Sequence, residues 1–127
     1  MIDMLEEKML ERKVWAVIGA NDNPEKYGSM IYRKLKLRGY KVYAVNPLYK
    51  EIDGDICYGS LSELPEKPDV LNFVVTPKRS LAYVDEAGEL GIKYLWFQPG
   101  TYDDNVLEKA AELGLSSVQA CVLVATR

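Results

Sequence analysis

"VIGANDNPEKYGSMIYRKL" (residues 17–35) is the stretch that decides the fold. It begins as the end of an apolar strand, turns at Gly19 and continues as an amphipathic helix in which Tyr27, Ile31 and Leu35 recur four apart. A strand that runs through a glycine turn into a helix is the opening unit of a nucleotide-binding α/β fold, where the turn and the helix N-terminus grip phosphate. The close-set glycines of that turn are missing here. Eight residues separate Gly19 from Gly28, and a polar loop bearing Pro24 fills the gap.

Working outward, "VWAVI" (14–18) reads as a strand buried on both faces, the pattern of a parallel sheet. "RKLKLRG" (33–39) closes the first long helix with basic side chains and a glycine. The same strand–helix sentence then repeats. "KVYAVN" (41–46), "DVLNFVV" (69–75), "KYLWF" (93–97) and "LSSVQA" (115–120) predict four further strands. "TPKRSLAYVDEAGELG" (76–91) predicts a helix with Thr76 as N-cap and Pro77 in its first turn, and "YDDNVLEKAAELG" (102–114) one with acids at its start. "CVLVATR" (121–127) reads as a last short helix or an edge strand. Segment 47–68 is the least regular, with a helical turn expected near Leu61–Leu64. The fold class that follows is α/β. We expect a single Rossmann-like domain over 1–127, with a parallel sheet of about five strands, helices on both faces, and an N-terminal helix over 1–12 packed on it.

Composition narrows the function. A chain of 127 residues supports one domain with a proper core, and a net charge of −3 gives no electrostatic reason to expect nucleic acid or an anionic membrane. No apolar run approaches a bilayer span, and "MIDMLEEKMLERK" is amphipathic and charged rather than a secretory signal, so the expected location is the cytoplasm. The chain contains no histidine. That removes Ser-His and Cys-His nucleophile activation, imidazole general bases, phosphohistidine chemistry and most zinc sites. Cys57 and Cys121 stand alone, so neither a dithiol motif nor a metal cage is expected, and no catalytic constellation is complete.

In an open parallel sheet, ligands lie outside the carboxyl ends of the strands. Those ends read "GANDNP" (19–24), "NPLYK" (46–50), "TPK" (76–78) and "QPG" (98–100): polar residues, prolines and glycines where helices or loops begin. Such residues serve any turn, yet four ends of one type point to a shared crevice that takes phosphate. A dinucleotide fingerprint would close-space its glycines and place an acid at the end of the second strand. Asn46 stands there instead, and Lys50 suits a nucleotide with an extra ribose phosphate, as in NADP or coenzyme A, over NAD.

"VIGANDNPEKYG", "RGYKVYAVNP", the "TPK" strand end, "GIKYLWFQPG" and the Cys121 segment resemble the stand-alone CoA-binding domain proteins, which are similar to the N-terminal domain of the succinyl-CoA synthetase alpha subunit. The resemblance spans residues 12–127 and implies coenzyme A, or an acyl-CoA, lying across the strand ends. It implies that Gly19, Ala20 and Asn21 cradle the phosphates, with Gly28 near the helix start. Asn46, Pro47 and Lys50 would face the adenosine half and its 3′-phosphate; Val75, Thr76 and Pro77 would form the adenine or ribose wall. Gln98 and Pro99 would take the pantetheine side. Many relatives carry an arginine or a second proline where Thr76–Lys78 stands, and the synthetase's phosphorylated histidine belongs to a later domain that is not in this sequence, so ligase activity does not carry over.

Lys26 either leans toward the phosphates or is a solvated surface lysine. Tyr49 or Tyr58 could stack on adenine or be half-buried rings; Trp15 and Trp96 read as core. Cys121 is either a small buried apolar residue or a neighbour of the pantetheine thiol. The functional expectation is a CoA or acyl-CoA binding protein without catalysis of its own: a carrier, a sensor or a partner subunit for an enzyme elsewhere. The alternatives are an NADP-binding redox sensor or enzyme component, and a protein-interaction domain on a Rossmann-like scaffold.

Overall fold

The computed structural model describes residues 4–126. Residues 1–3 of the expected N-terminal helix lie outside the described residues; its remainder is α1, Met4–Leu10. The elements that follow are β1 (Val14–Ile18), α2 (Tyr27–Leu37), β2 (Lys41–Val45), β3 (Glu51–Ile52), β4 (Asp55–Tyr58), a single 3₁₀ turn at Leu61–Glu63, β5 (Val70–Phe73) and α3 (Pro77–Leu90). The chain ends with β6 (Tyr94–Phe97), α4 (Asp104–Glu112), β7 (Ser116–Gln119) and the short α5 (Val122–Ala125).

The strands form one sheet in the order β3-β4-β2-β1-β5-β6-β7. Six of them run parallel, and β3 alone is antiparallel, paired with β4. The five expected strands are all present, and the sheet extends beyond them by the β3–β4 hairpin inside the irregular segment 47–68. Asp53-Gly54 makes its tight turn, both residues at positive φ (54° and 79°), the geometry that closes a two-residue hairpin. With so short a hairpin, periodicity had too few residues to register a strand.

Alternation along the buried strands divides the core in two. Trp15, Val17, Val70 and Trp96 pack with Met9 of α1, Ile31 and Leu35 of α2, and Val122 of α5. Ala16, Ile18, Phe73 and Phe97 pack with Val84 and Ala87 of α3 and Val106 and Ala110 of α4. Helices therefore cover both faces in a Rossmann-like arrangement, and Trp15 and Trp96 are fully buried, as expected. Each indole N–H keeps a partner, donating to the Arg12 and Ala120 carbonyls respectively. α3 ends at Gly91, whose positive φ of 75° turns the chain so that the Ile92 N–H reaches the Ala87 carbonyl and β6 can begin. Among the described residues, no helix is long and apolar enough to cross a membrane.

Candidate functional site

The strand order reverses at β1. The chain leaves β1 for β2 and β4 on one side, then returns to place β5 on the other. The crevice of such a sheet opens between the carboxyl ends of β1 and β5, and the contacts there are close. At Gly19, φ is 93° and a Cβ would stand 2.4 Å from the Val74 carbonyl oxygen, so no side chain fits between the two strand ends. The start of α2 presses on the same point. A Cβ at Gly28 would lie 2.1 Å from the Gly19 carbonyl oxygen and 3.2 Å from the Asn21 nitrogen. The two glycines that bracket the long loop thus meet in space, and that proximity replaces the close sequence spacing of a glycine-rich turn.

The loop between them is held by its own side chains. Asn21 Oδ1 accepts from the Asn23 N–H (2.8 Å), and Asn23 Oδ1 from that of Glu25 (3.0 Å). Asp22 accepts from the Asp53 N–H (3.0 Å) and pairs with Arg33, which also pairs with Asp53, so the loop is fastened to the β3–β4 hairpin and to α2. Lys36 extends the network to Asp53 and Asp55. Lys36 and the Tyr32 hydroxyl hydrogen-bond Asp55 and hold its carboxyl below its ordinary value. Burial, then that same carboxylate, pushes the Tyr32 hydroxyl far up. Asn46, buried at the end of β2, donates to the Ala20 carbonyl (2.9 Å) and accepts from the Leu48 N–H (2.9 Å), locking the second strand end to the loop.

Several donors stay free. The Gly19 N–H is spent on the Val45 carbonyl and that of Lys26 on the Asn23 carbonyl. Those of Ala20, Asn21, Tyr27 and Gly28 make no hydrogen bond within the described residues. α4 is capped by the Asp103 carboxylate, which accepts from the Val106 N–H, whereas α2 and α3 begin at Lys26 and Thr76 without a side-chain cap. In the first turn of α2 the Ser29 N–H is spent on the Lys26 carbonyl and those of Tyr27 and Gly28 remain, while in α3 Pro77 has no N–H and those of Lys78 and Arg79 make no hydrogen bond within the described residues.

Three adjoining cavities form a trough along this edge. The first, of about 310 Å³, lies under α3 between Val45, Pro47, Val75 and Tyr83. The second, about 540 Å³, is an open cleft over Gly19, Asn21, Thr76 and Pro99, and shares Gly19, Asn46, Val75 and Arg79 with the first. The third, about 180 Å³, is a more enclosed apolar pocket between α2 and α5, lined by Tyr27, Ile31, Gln98 and Cys121, and shares Val74, Pro99 and Thr101 with the second.

Of the residues singled out in the sequence, Gly19, Asn21, Asn46, Pro47, Val75, Thr76 and Pro99 line the first two cavities and Gln98 the third. Ala20 is fully buried beneath them, Gly28 packs on the Gly19 carbonyl, and Pro77 opens α3. Gln98 lies at the rim, but its Oε1 already accepts from the Val122 N–H (2.9 Å) and the Asn72 amide (3.4 Å). Lys26 and Lys50 are exposed and line none of the three cavities. Tyr49 packs against the core, and Tyr58 lies edge-on to Tyr43, away from the trough. No local motif marks Arg79 and Tyr83, which also line the first cavity. They stand four apart on α3, with Ala82 between them on the same face, so helical spacing counted from the "TPK" strand end would have aimed them at the crevice.

Burial, and then Glu86, raises the Tyr83 hydroxyl above its ordinary value, and burial pushes the Cys57 thiol up. Both cysteines are free: Cys57 is buried, whereas Cys121 is half-buried at the third cavity. Among the described residues, no group of three or more acidic or cysteine side chains is placed to hold a metal ion.

Comparison with known proteins adds identity to this geometry. The model of a family described as "CoA binding domain" matches residues 13–127. An ADP-forming acetate–CoA ligase from Archaeoglobus fulgidus is 39% identical over 87 residues, which cover 68% of this chain and 13% of the ligase. The alpha subunit of such a ligase from Pyrococcus furiosus is matched over 17% of its length, so the chain spans a small part of these curated relatives. A conserved hypothetical protein from Pyrococcus furiosus shares the fold with a TM-score of 0.84 and 41% identity, over 90% of this chain and 99% of its own.

Proposed function

The chain belongs to the CoA binding domain family, and from that premise we propose that it binds coenzyme A or an acyl-CoA along the strand-end trough. The observation that carries this reading is the order of the three cavities. An apolar slot beside Tyr83 suits a purine, the cleft with its free backbone donors suits phosphates, and the enclosed apolar pocket at Cys121 suits the end of a pantetheine arm. Each neighbouring pair shares lining residues, so one extended ligand can run through all three.

The domain acts as a carrier, a sensor or a partner subunit, with no chemistry of its own. These 127 residues contain no histidine to carry a phosphoryl group. Among the described residues, those lining the trough offer recognition through backbone donors and apolar walls, with no nucleophile paired to a base.

Thermal-shift titration with CoA, acetyl-CoA, dephospho-CoA and NADP tests the reading. A ligand at a hundred times its Kd adds about 2.7 kcal/mol of stability, which raises Tm by several degrees for a chain of this length. CoA or acetyl-CoA should give that shift and NADP should not. Absence of a shift with any CoA form refutes the proposal, and a shift with NADP alone reassigns the site.

A further inference from the structure

The sequence directs attention to Lys26 and Lys50 as the cations for phosphate, yet neither lines the trough. Among the described residues that do line it, Arg79 is the one cation, and no carboxylate stands with it. It borders both the first and the second cavity, at the junction between the apolar slot and the open cleft.

The Arg79 side chain is exposed and makes no hydrogen bond or ion pair among the described residues. Arg33, Lys36, Lys41 and Lys109, by contrast, are each engaged with carboxylates. The Arg79 charge is felt within the site, where it draws the Tyr83 hydroxyl downward against the upward push of burial. A guanidinium offers a planar fork of donors that matches two phosphate oxygens at once, and phosphate is the partner that an unpaired fork at a nucleotide-sized trough would take.

Resting on the CoA reading above, we infer that Arg79 is the side chain that grips a phosphate of the bound nucleotide, at the point where the adenosine slot meets the phosphate cleft. Two groups of one ligand offer this chemistry: the ribose 3′-phosphate and the pyrophosphate. The fork lies in the first turn of α3 and lines the second cavity together with Gly19 and Asn21 of the β1–α2 loop. The anion is then held both by backbone donors of the loop and by the guanidinium.

Calorimetric titration of CoA and dephospho-CoA into the unaltered protein, Arg79→Gln, Arg79→Lys and Lys50→Gln tests this. Arg79→Gln should weaken CoA binding by about tenfold or more, Arg79→Lys should restore part of it, and Lys50→Gln should change it less than twofold. The Tm of free Arg79→Gln should equal that of the unaltered protein, because the side chain makes no bond to lose. Weakening confined to CoA supports the inference and assigns the 3′-phosphate; equal weakening with dephospho-CoA supports it and assigns the pyrophosphate. Unchanged affinity of Arg79→Gln for both ligands overturns the inference and leaves CoA binding intact. Failure of the unaltered protein to bind either ligand overturns the CoA reading itself.

Discussion

Replacing Gly28 with alanine tests the geometry of the site at its tightest point. The added Cβ would stand 2.1 Å from the Gly19 carbonyl oxygen, where carbon–oxygen contacts normally begin at about 3.3 Å. Either the start of α2 or the loop after β1 must therefore retreat by roughly an ångström. Overpacking of this kind costs about 1–3 kcal/mol. The gain of alanine over glycine in a helix returns up to about 1 kcal/mol, less at the second residue of α2. The expected net loss is about 1–2 kcal/mol, which lowers Tm by about 3–10 °C for a chain of this length. The same displacement separates the free N–H group of Asn21, which lines the cleft, from that of Gly28. Hydrogen bonds to a charged group are worth about 1.5–3 kcal/mol each, so CoA affinity should fall at least about tenfold. Gly39→Ala is the control. Gly39 lies beyond the far end of α2 at φ 93° with nothing near its absent Cβ, so alanine there costs about 1–2 kcal/mol of backbone strain without touching the crevice. Urea unfolding and calorimetry on both variants should show similar stability losses with binding lost only in Gly28→Ala. A Gly28→Ala protein that keeps both its Tm and its affinity would refute the argument that α2 and the β1 loop meet in steric contact.

The Asp55 carboxyl is held below its ordinary value by Lys36 and Tyr32, so its contribution to stability is fully present above the ordinary carboxylate value and disappears as pH falls through the depressed one. Unfolding of Asp55→Asn and the unaltered protein compared between pH 7 and pH 2 should show a small gap that closes on the acid side, small because the pair is partly exposed; a gap that widens with acid contradicts the pairing. The two thiols should also separate in alkylation followed by mass spectrometry. Cys57, 8% exposed with its thiol pushed up by burial, should react slowly at neutral pH, and Cys121 first. Saturating CoA should slow Cys121; labelling of Cys121 at an unaltered rate would mean that the ligand does not enter the third cavity.

Much of this molecule could be read from residue order. Local rules identified β1, α2, β2, β5, α3, β6, α4 and β7, because each apolar run or helical stripe is long enough to show its period and each helix carries its own stop. The hairpin at β3–β4 escaped because strands of two and four residues carry too little pattern, and only its Asp-Gly turn marks it. The Rossmann-like architecture followed from alternation alone, and the strand ends were named correctly as the edge where a crevice would open.

What residue order could not decide was which side chains reach that edge. Lys26 and Lys50 are near it along the chain but line none of its cavities, whereas Arg79 and Tyr83 are placed in it by the rotation of α3 and its packing on the sheet. Nor could spacing reveal that Gly19 and Gly28, with eight residues between them, stand in steric contact. The chain by itself determined the elements and their order, since strand and helix periods are local properties of the backbone. Which side chains line the crevice was decided by the tertiary structure, since that depends on how separate elements rotate and approach once their apolar faces are buried against one sheet.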